Sequence, residues 1–108
     1  MSKMKEIPRV QELDPVLMNP KRFLIATLLY MLGPRQMAFL QKALKLKWGD
    51  LYTHLTKLEK EGYIKTVKLI TAKGPKTLVK LTEKGTLSYE KLLNNIGKIK
   101  EQLYDARG

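Results

Sequence analysis

The stretch QMAFLQKALKLKWGDLYTHLTKLEKEG (residues 36–62) runs into YIKTVKLITAKGPKTLVKLTEKG (63–85), and the change of periodicity between them decides the fold. Met37, Leu40 and Leu44 fall at i, i+3 and i+7, one face of a helix over about 36–44. Lys45-Leu46-Lys47 has room only for a turn. Leu51, Leu55 and Leu58 then recur at i, i+4 and i+7, which predicts a second amphipathic helix over about 48–61, with Gly62 placed to end it. From Tyr63 the pattern turns to β-branched residues with partial alternation, a strand over 63–70. Residues 71–76 read as a turn with Lys73 and Lys76 flanking Gly74-Pro75, and 77–81 as the returning strand.

Outward from this block, the signals are mainly caps and stops. Asp14-Pro15 predicts a short helix, and Asn19-Pro20 opens a longer one that runs to Leu32, nearly apolar all round, until Gly33-Pro34 stops it. On the other side Thr82 caps a helix expected to reach about residue 104. In it Tyr89, Leu92, Ile96, Ile99 and Leu103 follow a 3,4,3,4 spacing, the seam of a coiled-coil-like contact. Gly97, inside that pattern, costs about 1 kcal/mol relative to alanine. The expected organisation is an arm over 1–13, a compact domain over 14–85, and a C-terminal helix and tail over 86–108.

The chain has 108 residues, 44% of them hydrophobic, which is enough for one domain with a real core. It has no cysteine and one histidine, so disulfides, thiolate zinc sites, cysteine nucleophiles and multi-histidine metal sites are excluded. No Gly-rich phosphate loop, paired-carboxylate motif or nucleophile–base pair is present. The reading is therefore not an enzyme, with no metal and no cofactor. The N-terminus lacks the apolar core of a signal peptide, and the longest apolar run, about a dozen residues, is short of the roughly 20 that a membrane span needs. The expectation is a soluble, cytoplasmic protein.

Twenty-one basic residues against 10 acidic ones leave a net charge of +11, which points to a polyanion. Its distribution says more. Residues 35–47 carry +4 with no acid, and 63–80 carry +5 with no acid, so 9 of the 11 excess charges sit in these two segments. The helix between them, 48–61, sums to −1. Helix, turn, helix, hairpin is the order of a winged helix-turn-helix: mostly α with a small β-hairpin, here with a long C-terminal dimerisation helix. A helix fits the major groove, and the hairpin reaches the adjacent backbone or minor groove.

With Leu51, Leu55 and Leu58 turned inward, Gly49, Tyr52, Thr53, Thr56 and Lys57 face outward. They form the candidate DNA-reading face, with Trp48 at its edge. Lys73 and Lys76 at the wing tip, and Arg35, Lys42 and Lys47 before the second helix, are candidate backbone contacts. Asp50 suits the helix N-terminus. His54, partly inward, reads as a structural histidine. A 20-residue helix extending past so small a domain has too little of its own chain to cover it. Phe23, Tyr89, Leu92, Ile96, Ile99 and Leu103 are therefore the expected homodimer interface.

The pieces LDPVLMNPKRFLIATLL, GDLYTHLTKLEKEGYI and LTEKG, over about 90 residues, resemble the small archaeal and bacterial winged-helix transcriptional regulators related to the MarR and ArsR groups. The middle piece is the most specific, with Leu51, His54, Leu55, Leu58, Glu59 and Gly62 in the family's places. The resemblance implies a homodimer on a near-palindromic double-stranded DNA operator, as a repressor, with dimer contacts from the first and last helices. It names no effector. Lys47 and Trp48 stand where the family often has a Ser or Thr cap and a small polar residue, and Tyr52 where a Ser is common. The weaker cap costs about 1 kcal/mol. Two other readings of the same fold are a protein-interaction module and a non-specific nucleic-acid binder.

Overall fold

The computed structural model describes residues 7–107. Four helices and a small antiparallel sheet follow in the order α1 (Pro20–Leu32), β1 (Arg35–Gln36), α2 (Met37–Leu44), α3 (Trp48–Lys60), β2 (Ile64–Thr71), β3 (Gly74–Leu81) and α4 (Glu83–Arg107). This is the expected winged helix-turn-helix with its long last helix.

Local chemistry sets the boundaries. The Asn19 side chain accepts from the backbone N–H groups of Lys21 and Arg22, and Pro20 takes the first helical position of α1. Lys45 adopts the left-handed conformation that ends α2, and the Gln41 amide donates to the Leu46 carbonyl at 2.8 Å, fixing the turn into α3. Gly62, with φ +80°, terminates α3. Thr82 does two jobs. Its hydroxyl accepts from the Gly85 N–H at 3.0 Å, capping α4, and donates to the Gly62 carbonyl at 2.6 Å, tying α4 to the end of α3.

Three expectations change. Asp14-Pro15 forms one turn rather than a helix: the Asp14 carboxylate accepts from the N–H groups of Val16 and Leu17, which closes the segment before Asn19 reopens it. Arg35 and Gln36 add an unforeseen strand, pairing with Val79 and Leu78 to give the sheet order β1-β3-β2. Two residues after Gly33-Pro34 are too few for any periodicity to reveal. The wing is also longer than expected. Its ladder runs from Ile64↔Leu81 to Thr71↔Gly74, leaving only Ala72 and Lys73 in the turn. The expected arm falls partly outside the described residues. Within them, Val10–Glu12 makes a 3-10 turn, and the Glu12 carbonyl accepts from the Asn95 amide of α4 at 2.9 Å.

The core joins Ile25, Ala26 and Leu29 of α1, Leu40 of α2, Leu51, Leu55 and Leu58 of α3, Ile64 and Val79 of the sheet, and Tyr89 and Leu92 of α4. Each fully buried leucine stabilises the fold by roughly 1.5–3 kcal/mol. At about 1.5 Å per residue, α4 is roughly 37 Å long and outruns this core. The molecule accordingly measures 62 × 25 × 21 Å. The α4 seam is therefore divided. Tyr89 and Leu92 belong to the chain's own core, while Ile96 is 37% and Leu103 61% exposed.

Candidate nucleic-acid interface

Burying Leu51, Leu55 and Leu58 fixes the rotation of α3 and turns Trp48, Gly49, Tyr52, Thr53, Thr56 and Lys57 to solvent. Trp48 is 53% exposed and Tyr52 65%, so both aromatic faces are available to a partner. The Thr53 hydroxyl folds back on the Gly49 carbonyl at 2.9 Å, which leaves its methyl as the more accessible group. The acidic residues of this region are engaged. Asp50 pairs with Lys21 of α1 at 2.7 Å, and that ammonium holds its carboxyl below the usual range. Glu61 lies 3.8 Å from Lys57, and Glu59 accepts from the Thr66 hydroxyl of β2 at 3.5 Å. Repulsion of phosphate by this helix is correspondingly muted.

His54 sits on the inner shoulder of α3, where the Arg22 guanidinium approaches its Nδ1 at 3.0 Å. Arginine can only donate, so Nδ1 is the acceptor and the ring is neutral with its proton on Nε2. Arg22 also donates to the Val16 carbonyl at 2.6 Å, so one side chain joins the 14–17 turn, α1 and α3. Partial burial, then the charges of Arg22 and Lys21, push the His54 pKa down. Below about pH 6.5 the unfolded chain takes up a proton that the folded one refuses, and stability falls with pH until the folded-state pKa is passed. His54 is the sole histidine. The thermal midpoint should therefore drop between pH 7 and 5, and H54N, which keeps an acceptor for Arg22, should flatten that slope. Equal slopes for the two proteins would refute the assignment.

The wing carries Lys65, Lys68, Lys73, Lys76 and Lys80 and no acid. Lys73 lies in the turn and is exposed; Lys76 lies in β3, half-buried opposite Leu69. The Thr71 hydroxyl donates to the Gly74 carbonyl at 2.6 Å and accepts from the Lys73 N–H at 3.2 Å, which makes the tip rigid. Lys42 and Lys47 are exposed before α3. Arg35 is not simply a surface charge: it is a strand residue whose guanidinium lies 5.7 Å from the Phe39 ring centre and donates to the Pro34 carbonyl.

Sequence reasoning missed the supports of this face: Lys21 for Asp50, Arg22 for His54, and Asp14 for Tyr63, whose hydroxyl donates to it. Burial and then that bond push the Tyr63 pKa up. Each pair is separated by 29 or more positions, so no local spacing could have announced it. Among the described residues no group of histidine and carboxylate side chains is arranged to hold a metal, and no helix is long and apolar enough to cross a membrane.

An exposed, largely uncharged α3 face between two basic segments defines a DNA-binding winged helix. Residues 22–99 match the model of the winged helix DNA-binding domain family, and the protein belongs to that family. The likeness to winged-helix regulators read from the sequence is thus borne out, and the family is a DNA-binding one rather than an enzyme family. The chain is similar to a transcriptional regulator homologue from Pyrococcus horikoshii OT3, with 30% identity and a TM-score of 0.77 over 95% of this chain and 98% of that one. It is 35% identical over 75 residues to an uncharacterised protein of Methanocaldococcus jannaschii, covering 69% of this chain and 82% of that protein. A transcriptional regulator from Thermotoga maritima shares the fold, with a TM-score of 0.70 at 21% identity over 83% of this chain and 63% of that one.

Proposed function

We propose that the protein is a homodimeric, sequence-specific transcriptional regulator of the MarR type, acting as a repressor on a near-palindromic DNA operator. The observation that carries this reading is the division of labour around α3. Its exposed Tyr52, Thr53 and Thr56 offer neutral groups to base edges, while Lys42, Lys47, Lys73 and Lys76 on either side meet phosphate. Trp48 and Lys57 border the reading face. Arg35 contributes charge from β1, and Gly49 lies open to solvent beside Trp48, with nothing within 4 Å of where its Cβ would be.

Dimerisation is supported by the apolar surface that α4 leaves uncovered. Ile96, Ile99 and Leu103 continue the seam beyond the core. Ile96 also borders an apolar groove formed with Leu17, Met18, Pro20 and Phe23 at the start of α1. Tyr89 and Leu92 would support this surface from beneath rather than contact the second copy. With two copies, the recognition helices would address half-sites about one helical turn, ~10 bp, apart.

Duplex selection on the purified protein, with its mass measured in solution, tests both parts. The expected result is an enriched, two-fold-related motif bound by a species of twice the chain mass. Enrichment of no motif would defeat the sequence-specific reading, and a monomer at binding concentrations would defeat the dimer.

A further inference from the structure

The wing ends in an apolar side chain that nothing covers. Ile70 is 93% exposed, and among the described residues no other large hydrophobic side chain is as open. It is not on a loose loop. It pairs with Pro75 across the ladder, one step before the Thr71↔Gly74 pair that closes the turn, and the Thr71 hydroxyl staples that turn to Gly74 and Lys73. A rigid, protruding aliphatic group loses little entropy on contact.

The surroundings narrow what it contacts. Five lysines and no acid line the hairpin, so a basic or neutral protein face is a poor match, and a second copy of the same edge is repelled. The occupant must be polyanionic and yet present an apolar crevice. The minor groove of duplex DNA has both, with phosphates on the rim and deoxyribose walls within. Strand alternation places Ile70 on the same face of β2 as Thr66, whose hydroxyl reaches Glu59 of α3. The apolar tip thus lies on the side of the wing that looks toward the recognition helix.

We infer that Ile70, backed by Pro75, is an apolar minor-groove contact that selects against guanine beside the major-groove site. Guanine projects its N2 amino donor into the minor groove, where A·T pairs show only acceptors. An aliphatic side chain cannot accept from that amino group, so contact there leaves a donor desolvated and unpaired. The flank is then read by exclusion, without a hydrogen bond. The inference rests on the duplex-binding reading above and goes beyond it.

Inosine lacks only the N2 amino group of guanine, so poly(dI-dC) and poly(dG-dC) present the same major-groove pattern and differ in the minor groove. Binding of the full chain and of I70S to the two polymers is compared by anisotropy at low salt. The natural chain should prefer poly(dI-dC) by about tenfold, the scale of one donor left desolvated and unpaired. I70S should lose most of that preference. Its salt slope should stay unchanged because no phosphate contact is removed, and its melting should be unaltered because the side chain is exposed. Equal binding of both polymers by the natural chain, or a preference retained in I70S, overturns the minor-groove assignment alone. If the natural chain binds neither polymer, the duplex-binding reading falls with it.

Discussion

Gly85→Ala is expected to be the most destabilising glycine-to-alanine change among the described residues. A Cβ at Gly85 would stand 2.0 Å from the Tyr63 carbonyl oxygen and 2.8 Å from its carbonyl carbon, against an ordinary contact distance beyond 3.4 Å. Both partners are backbone, so no side chain can swing aside. Separation of the two segments is also resisted. The Thr82 N–H donates to that same Tyr63 carbonyl at 3.0 Å, and the Thr82 hydroxyl holds the Gly62 carbonyl. Alanine is the better helix former by roughly 1 kcal/mol, yet forced movement in a packed interior typically costs about 1–3 kcal/mol, and a backbone approach this close belongs at or above the upper end. The net expectation is a loss of about 2 kcal/mol or more and a fall in melting temperature of roughly 10 °C. Gly97, in the same helix, has nothing within 4 Å of its Cβ position. There only propensity acts, and Gly97→Ala should raise stability by about 0.5–1 kcal/mol. Denaturant unfolding of both variants checks the contrast, and a G85A protein as stable as the natural one would refute the close approach.

That close approach marks where the sequence stops being legible. Periodicity showed the leucine faces of α2 and α3, and charge counting found the two basic segments, because both are local patterns with strong physical causes. Caps at Asn19 and Thr82 and stops at Gly33 and Gly62 set most element ends correctly. What escaped depends on residues brought together from afar. The two-residue strand β1 exists only because β3 returns beside it, and Arg35 changes from a surface charge to a ladder residue on that account. The turn over 71–76 shrank because Gly74 and Pro75 pair with Thr71 and Ile70, which composition alone reads as a loop. Along α4 the 3,4,3,4 spacing places five residues on one face, but spacing could not say which of them the chain's own core takes up, and only Tyr89 and Leu92 belong to it. Beyond Leu92 the seam residue Ile96 is exposed and Ile99 half-buried, while the polar Asn95 and Gln102 of the same helix are buried. Asp50 was legible as a residue suited to the N-terminus of α3, but its pairing with Lys21 of α1 was not.

The clustering of charge leads to the second large effect, on binding rather than stability. Replacing Lys73 and Lys76 together with alanine should weaken binding to every duplex sequence. It should also lower the slope of log K against log salt concentration by about 3.6 for the dimer, since each of the four phosphate contacts, two per protomer, contributes about 0.9. Extrapolated from the ~1 M limit where the counterion contribution vanishes, that is about a thousandfold loss at roughly 0.15 M salt. Neither side chain is in the core, so melting should change little. A field effect of net charge makes a different prediction from direct contact, and the two can be separated. Removing Lys91 and Lys98, exposed on α4 near Glu12, subtracts the same formal charge from another face. If the wing lysines touch phosphate, that pair leaves the slope nearly intact. If both double variants shift it equally, the wing merely adds to the overall field. In the same titration Thr56→Ala on α3 should leave the slope alone and change only the ranking of sequences, because it removes a proposed base contact and no charge. A slope change for Thr56→Ala, or none for the wing pair, would mean that positioning and reading are not divided between wing and helix in the way the charge distribution requires.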